Sequence, residues 1–421
     1  MANNLTSNVT RKLAKVFLKA FESNRVVSKS VNTQLLSGKF SPESGSNVDF
    51  KRPHDYITHR TSGGDISSVT KSDIVSGKAT GTVQNYFTSA TEWGNVEEAL
   101  ELDQLDQIIA PMARRIVTDL ETDFASYAMK NCSMVQGTVG TAVGSWSDVA
   151  NAGALMASTG VPSDSPWNYL INPYTQVALA DLQSGLTSAD SLVRTAWEKA
   201  QIAKDFGGLR AMTCTTLGSY TTPTGADRTG AVNGAPTATY VGAKDTMQQS
   251  IIVDAFQANL VVQAGDVIEI TGPNVLNQST RTGAKDAAGA AIPFRAVVAA
   301  DVTLSGTGTG TIVISGPAIF ESGGQYNTVD AAIADNDVIT ILGSASTTYQ
   351  PNLFFHQEAF GLGSVKLPKL YSTDTVATTE DGMSIRVSKY ADGDSNKQKV
   401  RFDLLPAYAT FNPFYAGHGW G

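Results

Sequence analysis

The chain has 421 residues, 42% of them hydrophobic and 17% charged, with 31 Lys and Arg against 39 Asp and Glu for a net charge of -8. It is too apolar for disorder and long enough for two or three domains. Its acidic balance excludes a protein whose whole surface grips nucleic acid, since phosphate binding needs a concentrated positive field.

Residues 8 to 22 place Leu13, Val16, Phe17, Ala20 and Phe21 at helical spacing. Arg11, Lys12, Lys15 and Lys19 lie among them and break every short apolar stretch, so a secretory leader is not expected. The first 30 residues hold six bases (Arg11, Lys12, Lys15, Lys19, Arg25 and Lys29) and one acid, Glu22, for a local charge of +5. This helix is either a docking arm or a solvated helix packed on its own body. From Val48 to Trp93 the pattern becomes extended. VDFKRPHDYIT and KATGTVQNYFT read as β-rich arms joined by the polar stretch RTSGGDISSVTKSD, a long hairpin loop of the kind that is usually functional or disordered.

Leu102, Leu105, Ile109, Met112, Ile116, Leu120, Phe124 and Ala128 then recur at steps of three and four and predict one long helix. Pro111 should kink it or open a new helix near Ala110. Further helices are predicted in SWSDVANAGALMAS, capped by Ser145 or Ser147, in PYTQVALADL and in DSLVRTAWEKAQIAK. Residues 221 to 345 differ in kind. They hold 15 of the 38 glycines and strand-like pieces (SIIVDAF, DVIEITG, FRAVVAA, GTIVISG, DVITILG) separated by turn residues, which predicts an all-β barrel or sandwich. Eleven acids against five bases give this window -6 of the total charge. A mixed aromatic and polar close follows Tyr349, so one domain is interrupted by another.

No catalytic pattern emerges. Cys132 and Cys214 have no scaffold or metal spacing, the four histidines fit no zinc site, and there is no G-x-S-x-G elbow or phosphate-binding P-loop. Gly306, Gly308 and Gly310 in SGTGTGTIVISG lead into a strand rather than a helix and read as a hairpin turn. Asp103 and Asp106 sit on the polar face of the long helix, where a solvated or intersubunit role outweighs acid/base work. The residues imply no enzyme, no cofactor and no metal. No apolar run of about 18 residues or more exists, so no membrane-spanning helix is expected.

The order of elements resembles the major capsid (coat) proteins of tailed bacteriophages with the Hong Kong 97-type fold, in particular those of short-tailed enteric phages with an inserted β domain. VDFKRPHDY with GGDIS and the return into TSATEWG is similar to that family's extended E-loop. LDQIIAPMARRIVTDLETDFASYAMK is similar to its spine helix, and SWSDVANAGALMASTGVPSDSPWNYLINP with NLFFHQEAFGLG and GMSIRV to its core. The resemblance implies an α+β fold with an N-terminal arm (1–47), an E-loop hairpin (48–92), a spine helix with the first part of the peripheral (P) and A core (93–220), an inserted all-β barrel-like domain (221–345) and the rest of the core (346–421).

It further implies a subunit that assembles as hexamers and pentamers with a scaffolding protein and a portal at one vertex. The product is an icosahedral procapsid, built in the host cytoplasm, that matures on packaging double-stranded DNA held by non-specific contact, without any membrane. On this reading the hairpin lies over an adjacent subunit, with Lys51, Arg52, Lys71 and Lys78 as candidate intersubunit contacts and no lysine cross-link. Arg11, Lys12, Lys15 and Lys19 are candidate interior contacts to scaffold or DNA. The alternative is an extracellular β-rich adhesin or carbohydrate-binding protein, which the Gly/Thr-rich insert would also suit.

Overall fold

The computed structural model describes all residues except 1–5, 37–39, 42, 44, 95–104, 186–189, 373, 393 and 396. Leu102 and Asp103 therefore lie outside the described residues. The chain divides into two compact units.

The first comprises residues 1–49, 80–125 and 360–410. Its helix α1, Thr6–Asn24, buries Leu13, Ala14, Phe17 and Phe21, the expected apolar stripe. Phe17 stacks on Phe402 with ring centroids 4.3 Å apart. Phe402 belongs to an antiparallel sheet whose strands run in the order Thr375–Thr378, Ser384–Asp392, Lys397–Leu404 and Phe87–Gly94. Buried charges tie the unit together. Arg25 is buried against Asp381 at 2.6 Å, so it is not part of an exposed basic arm. Buried Glu121 accepts from the Val27 and Ser28 amides at 2.6 and 3.1 Å, fixing the turn after α1. Asp403 is paired with Arg386 and Arg401 at 2.7 and 2.6 Å.

Helix α2, Leu105–Lys130, is the long helix and turns Ile109, Ala113, Ile116, Leu120 and Phe124 inward. Pro111 lies inside it and starts no second helix. The missing N–H would leave the Gln107 carbonyl unpaired, but Gln107 is exposed and water can supply the partner.

The second unit comprises residues 50–79, 126–359 and 411–421. A six-stranded mixed sheet runs in the order Met134–Gln136, Ala416–Gly419, Asn352–Phe355, Asn168–Ile171, Leu209–Thr213 and Asp205–Phe206. Helix α3, Trp146–Ser158, lays Val149, Ala152 and Met156 on Tyr169, Ile171, Leu209 and Phe354. Ser145 and Asp148 form its capping box. Asn172 caps α4, Pro173–Ser184, with Pro173 in the first turn, and α5, Asp190–Lys199, follows.

The insert is a closed six-stranded barrel with strands in the order Gln248–Asp254, Gly310–Ser315, Pro293–Val298, Val267–Asn274, Val338–Ile341 and Thr229–Val232. Alternate residues point inward: Ile251, Val253, Ile268, Ile270, Ala296, Val298, Ile312, Ile314, Ile339 and Ile341 share one core. All five strand-like sequences contribute a barrel strand, and Thr229–Val232 is a sixth that the sequence did not reveal, being short and Gly-bearing. A two-stranded ribbon, Tyr220–Thr221 with Thr348–Tyr349, closes the barrel's root. The SGTGTGT segment is a turn: Gly308 has φ +72°, its amide bonds to the Ser305 carbonyl, and a Cβ there would collide with the Phe256 carbonyl oxygen.

Candidate assembly surfaces

The hairpin is less regular than its sequence suggests. Strand Asn47–Lys51 ends at Lys51 and pairing resumes with Lys78–Val83, so residues 52–77 carry no strand. Pro53 removes a donor just past the first strand, and the Gly/Ser-rich middle has no apolar alternation to bury. What replaces a ladder is a set of local bonds. The Ile57 amide donates to Ser72 Oγ at 2.8 Å, His59 Nε2 meets the Thr70 carbonyl at 3.0 Å, and Lys71 Nζ donates to the Ile66 carbonyl at 2.9 Å.

The four hairpin candidates are placed very differently. Lys51, Lys71 and Lys78 are exposed. Arg52 is only 6% exposed and works inside its own chain. Its Nε donates to the carbonyls of Lys78 and Lys244 at 3.0 and 2.9 Å, and its Nη1 to that of Phe411. Burial pulls its pKa down to about 10, which leaves it a cation at neutral pH. A guanidinium matches several carbonyls at once because its donors form a fixed fork, so Arg52 anchors the hairpin's root rather than offering a surface charge. The Lys244 partner lies 192 positions away, and nothing in the sequence signalled it.

The arm's candidates lie together. Arg11, Lys12, Lys15 and Lys19 are exposed along α1 while Leu13, Phe17 and Phe21 face inward. Arg11, Lys12 and Lys15 border a shallow groove against Thr375, Ala377 and Thr378 of the first unit's sheet. Docking through the apolar face thus leaves the basic face open. Among the described residues, no three or more His, Cys, Asp or Glu side chains cluster as a metal site, and no helix is long and apolar enough to cross a membrane. Cys132 and Cys214 are both buried.

The second unit thus carries a closed barrel inserted between two strands of one sheet, Leu209–Thr213 and Asn352–Phe355. The comparisons with known proteins name the family. The model described as P22 coat protein, gene protein 5, matches residues 1–420, and the chain belongs to that family. It is 42% identical over 427 residues, the full length of both chains, to the major capsid protein of Acyrthosiphon pisum secondary endosymbiont phage 1. Solved structures similar to it include those of Mycobacterium phage Che8 (TM-score 0.46, 11% identity, 93% of this chain and 90% of that one) and the capsid of Ralstonia phage GP4 (TM-score 0.44, 8% identity, 95% and 90%). The chain is a phage major capsid protein, a structural component of the virion that forms its shell. The adhesin reading gives way to this membership.

Proposed function

We propose that this coat protein assembles as hexamers and pentamers, with a scaffolding protein and a portal at one vertex, into an icosahedral procapsid in the host cytoplasm. The shell matures on packaging double-stranded DNA, and the subunit catalyses no reaction and needs no cofactor. The observation that carries this reading is the hairpin. Its distal part leaves Tyr56, Ile57, Ile66 and Ile74 at 57, 40, 47 and 74% exposure in its own chain. Four large apolar side chains on one strap are a cost in water that a neighbouring copy would remove, and polar backbone without a ladder gains partners in the same step. Lys51, Lys71 and Lys78 then serve as contacts to that neighbour, without forming cross-links. The basic face of α1, Arg11, Lys12, Lys15 and Lys19, is proposed to face the interior and meet acidic groups of the scaffold or the DNA. Co-expression with the scaffolding protein and electron microscopy test the reading. The full chain should give closed shells, and a chain lacking residues 57–72 should remain folded and fail to close them. Normal shells from the shortened chain would overturn it.

A further inference from the structure

Because residues 52–77 have no strand ladder, the direction of the hairpin must be set by something else. Residues 50–79 belong to the same compact unit as the barrel, and the contacts within that unit show what sets it. On the barrel side, Gln325 Nε2 donates to the carbonyls of Asp55 and Asp73 at 3.0 and 2.7 Å, and its Oε1 accepts from the Asp73 amide at 3.1 Å. One side-chain amide thus pairs with Asp73 as a strand residue would and grips the opposite arm as well. Arg281 adds a charged bond, its Nε donating to Asp55 Oδ2 at 3.2 Å with Nη2 on the same oxygen, while Nη1 holds the Asn327 carbonyl at 2.7 Å.

Both clasping residues are themselves held. Asn327 exchanges hydrogen bonds with the amide and carbonyl of Glu321 at 2.8 Å each, closing the loop that carries Gln325. Tyr326 stacks on Tyr240 with centroids 3.7 Å apart, and Val75 of the hairpin packs against the small apolar cluster that contains both rings. Arg281 sits at φ +55° in a turn capped by Asn277, whose Oδ1 accepts from the Ser279 and Thr280 amides.

We infer that the inserted barrel presets the hairpin for assembly, with Gln325 and Arg281 as positioning residues that hold Asp55 and Asp73 and so aim residues 56–72. This rests on the reading of the hairpin as the arm that reaches a neighbouring copy. A side-chain clasp, unlike a ladder, fixes two points and leaves the distal strap free to fit its neighbour, which lowers the ordering cost on association.

The test uses the full chain with Gln325→Ala, Arg281→Glu, and Arg281→Glu combined with Asp55→Arg. Amide exchange on the unassembled protein should quicken about tenfold over residues 53–58 and 70–76 in each single variant, as local opening becomes easier. The thermal midpoint should stay within about 2 °C of the parent, because both side chains are only half-buried and neither lies in a hydrophobic core. Scaffold-driven shell formation should slow severalfold, and the charge-swapped double variant should recover exchange protection and rate together. Unchanged exchange in both single variants would overturn the clasp. So would quickened exchange with an unchanged assembly rate. Failure of the hairpin reading looks different: shells would form normally without residues 57–72, whatever the exchange data show.

Discussion

The barrel and the hairpin belong to one compact unit and are held by opposite means. In the barrel every strand is paired on both sides and alternate side chains fill one apolar core, so Ile268, for instance, is opposite Ala296 on one neighbour and Ile341 on the other. In the hairpin, residues 52–77 have no ladder, and a few side-chain donors on distant elements fix the path. The barrel's stability is therefore distributed over many small burial terms. The hairpin's geometry hangs on single residues, each removable without unfolding the domain.

Cutting into the barrel core should have the largest effect. Ile268 is fully buried, and Ile268→Ala should cost about 3 kcal/mol through lost burial and the cavity left behind, read as a lower midpoint in urea. A loss below about 1 kcal/mol would mean that the site collapses freely and the core is looser than its alternation suggests. At the hairpin's root, Arg52→Ala takes a charged donor away from three carbonyls and should cost about 2 kcal/mol. Limited proteolysis of that variant should cut within residues 52–77 faster than in the parent, while barrel fragments persist. Equal cutting rates would place the anchor elsewhere.

The pH dependence separates the two regions further. Asp266 is buried at the barrel's root, and burial raises its pKa to about 7 against the lowering pull of the Gln263 amide and Arg228. Because the folded state holds this proton more tightly than the unfolded chain, its contribution to stability is fully present below the unfolded value, about 4, and is lost as pH rises through about 7. Asp266→Asn should remove that part of the slope, so the stability difference between variant and parent should shift in the variant's favour from pH 5 to pH 8. A difference that does not change with pH would refute the assignment. The hairpin anchor Arg52 stays charged throughout this range and should add no slope.

The smallest effect on the isolated subunit is expected on α1. Lys12, Lys15 and Lys19 are exposed, so replacing all three with Glu should change monomer stability by no more than about 0.5 kcal/mol. Correct shell formation should nevertheless fall, and the interior contact proposed for α1 should weaken with salt, since exposed charges are screened over about 10 Å at 0.1 M. Filled shells of normal size from the triple variant would leave α1 as a packing element only.

Periodicity determined what could be read from the sequence. The 3.6-residue stripe of Leu13, Phe17 and Phe21, the Ser145 cap, the Pro173 start and the alternating isoleucines of the insert are local patterns, and local patterns survive in the linear order of residues. Tertiary structure decided the roles of individual charges. Arg25 and Arg52 are each one basic residue among several in sequence, yet Asp381, 356 positions away, neutralises the first, and the Phe411 carbonyl, 359 positions away, helps bury the second. Gln325 and Arg281 carried no signal at all, because their hairpin partners lie more than 220 positions earlier in the chain. A charge's function depends on what faces it and how much water remains around it, and both are set only when remote segments meet.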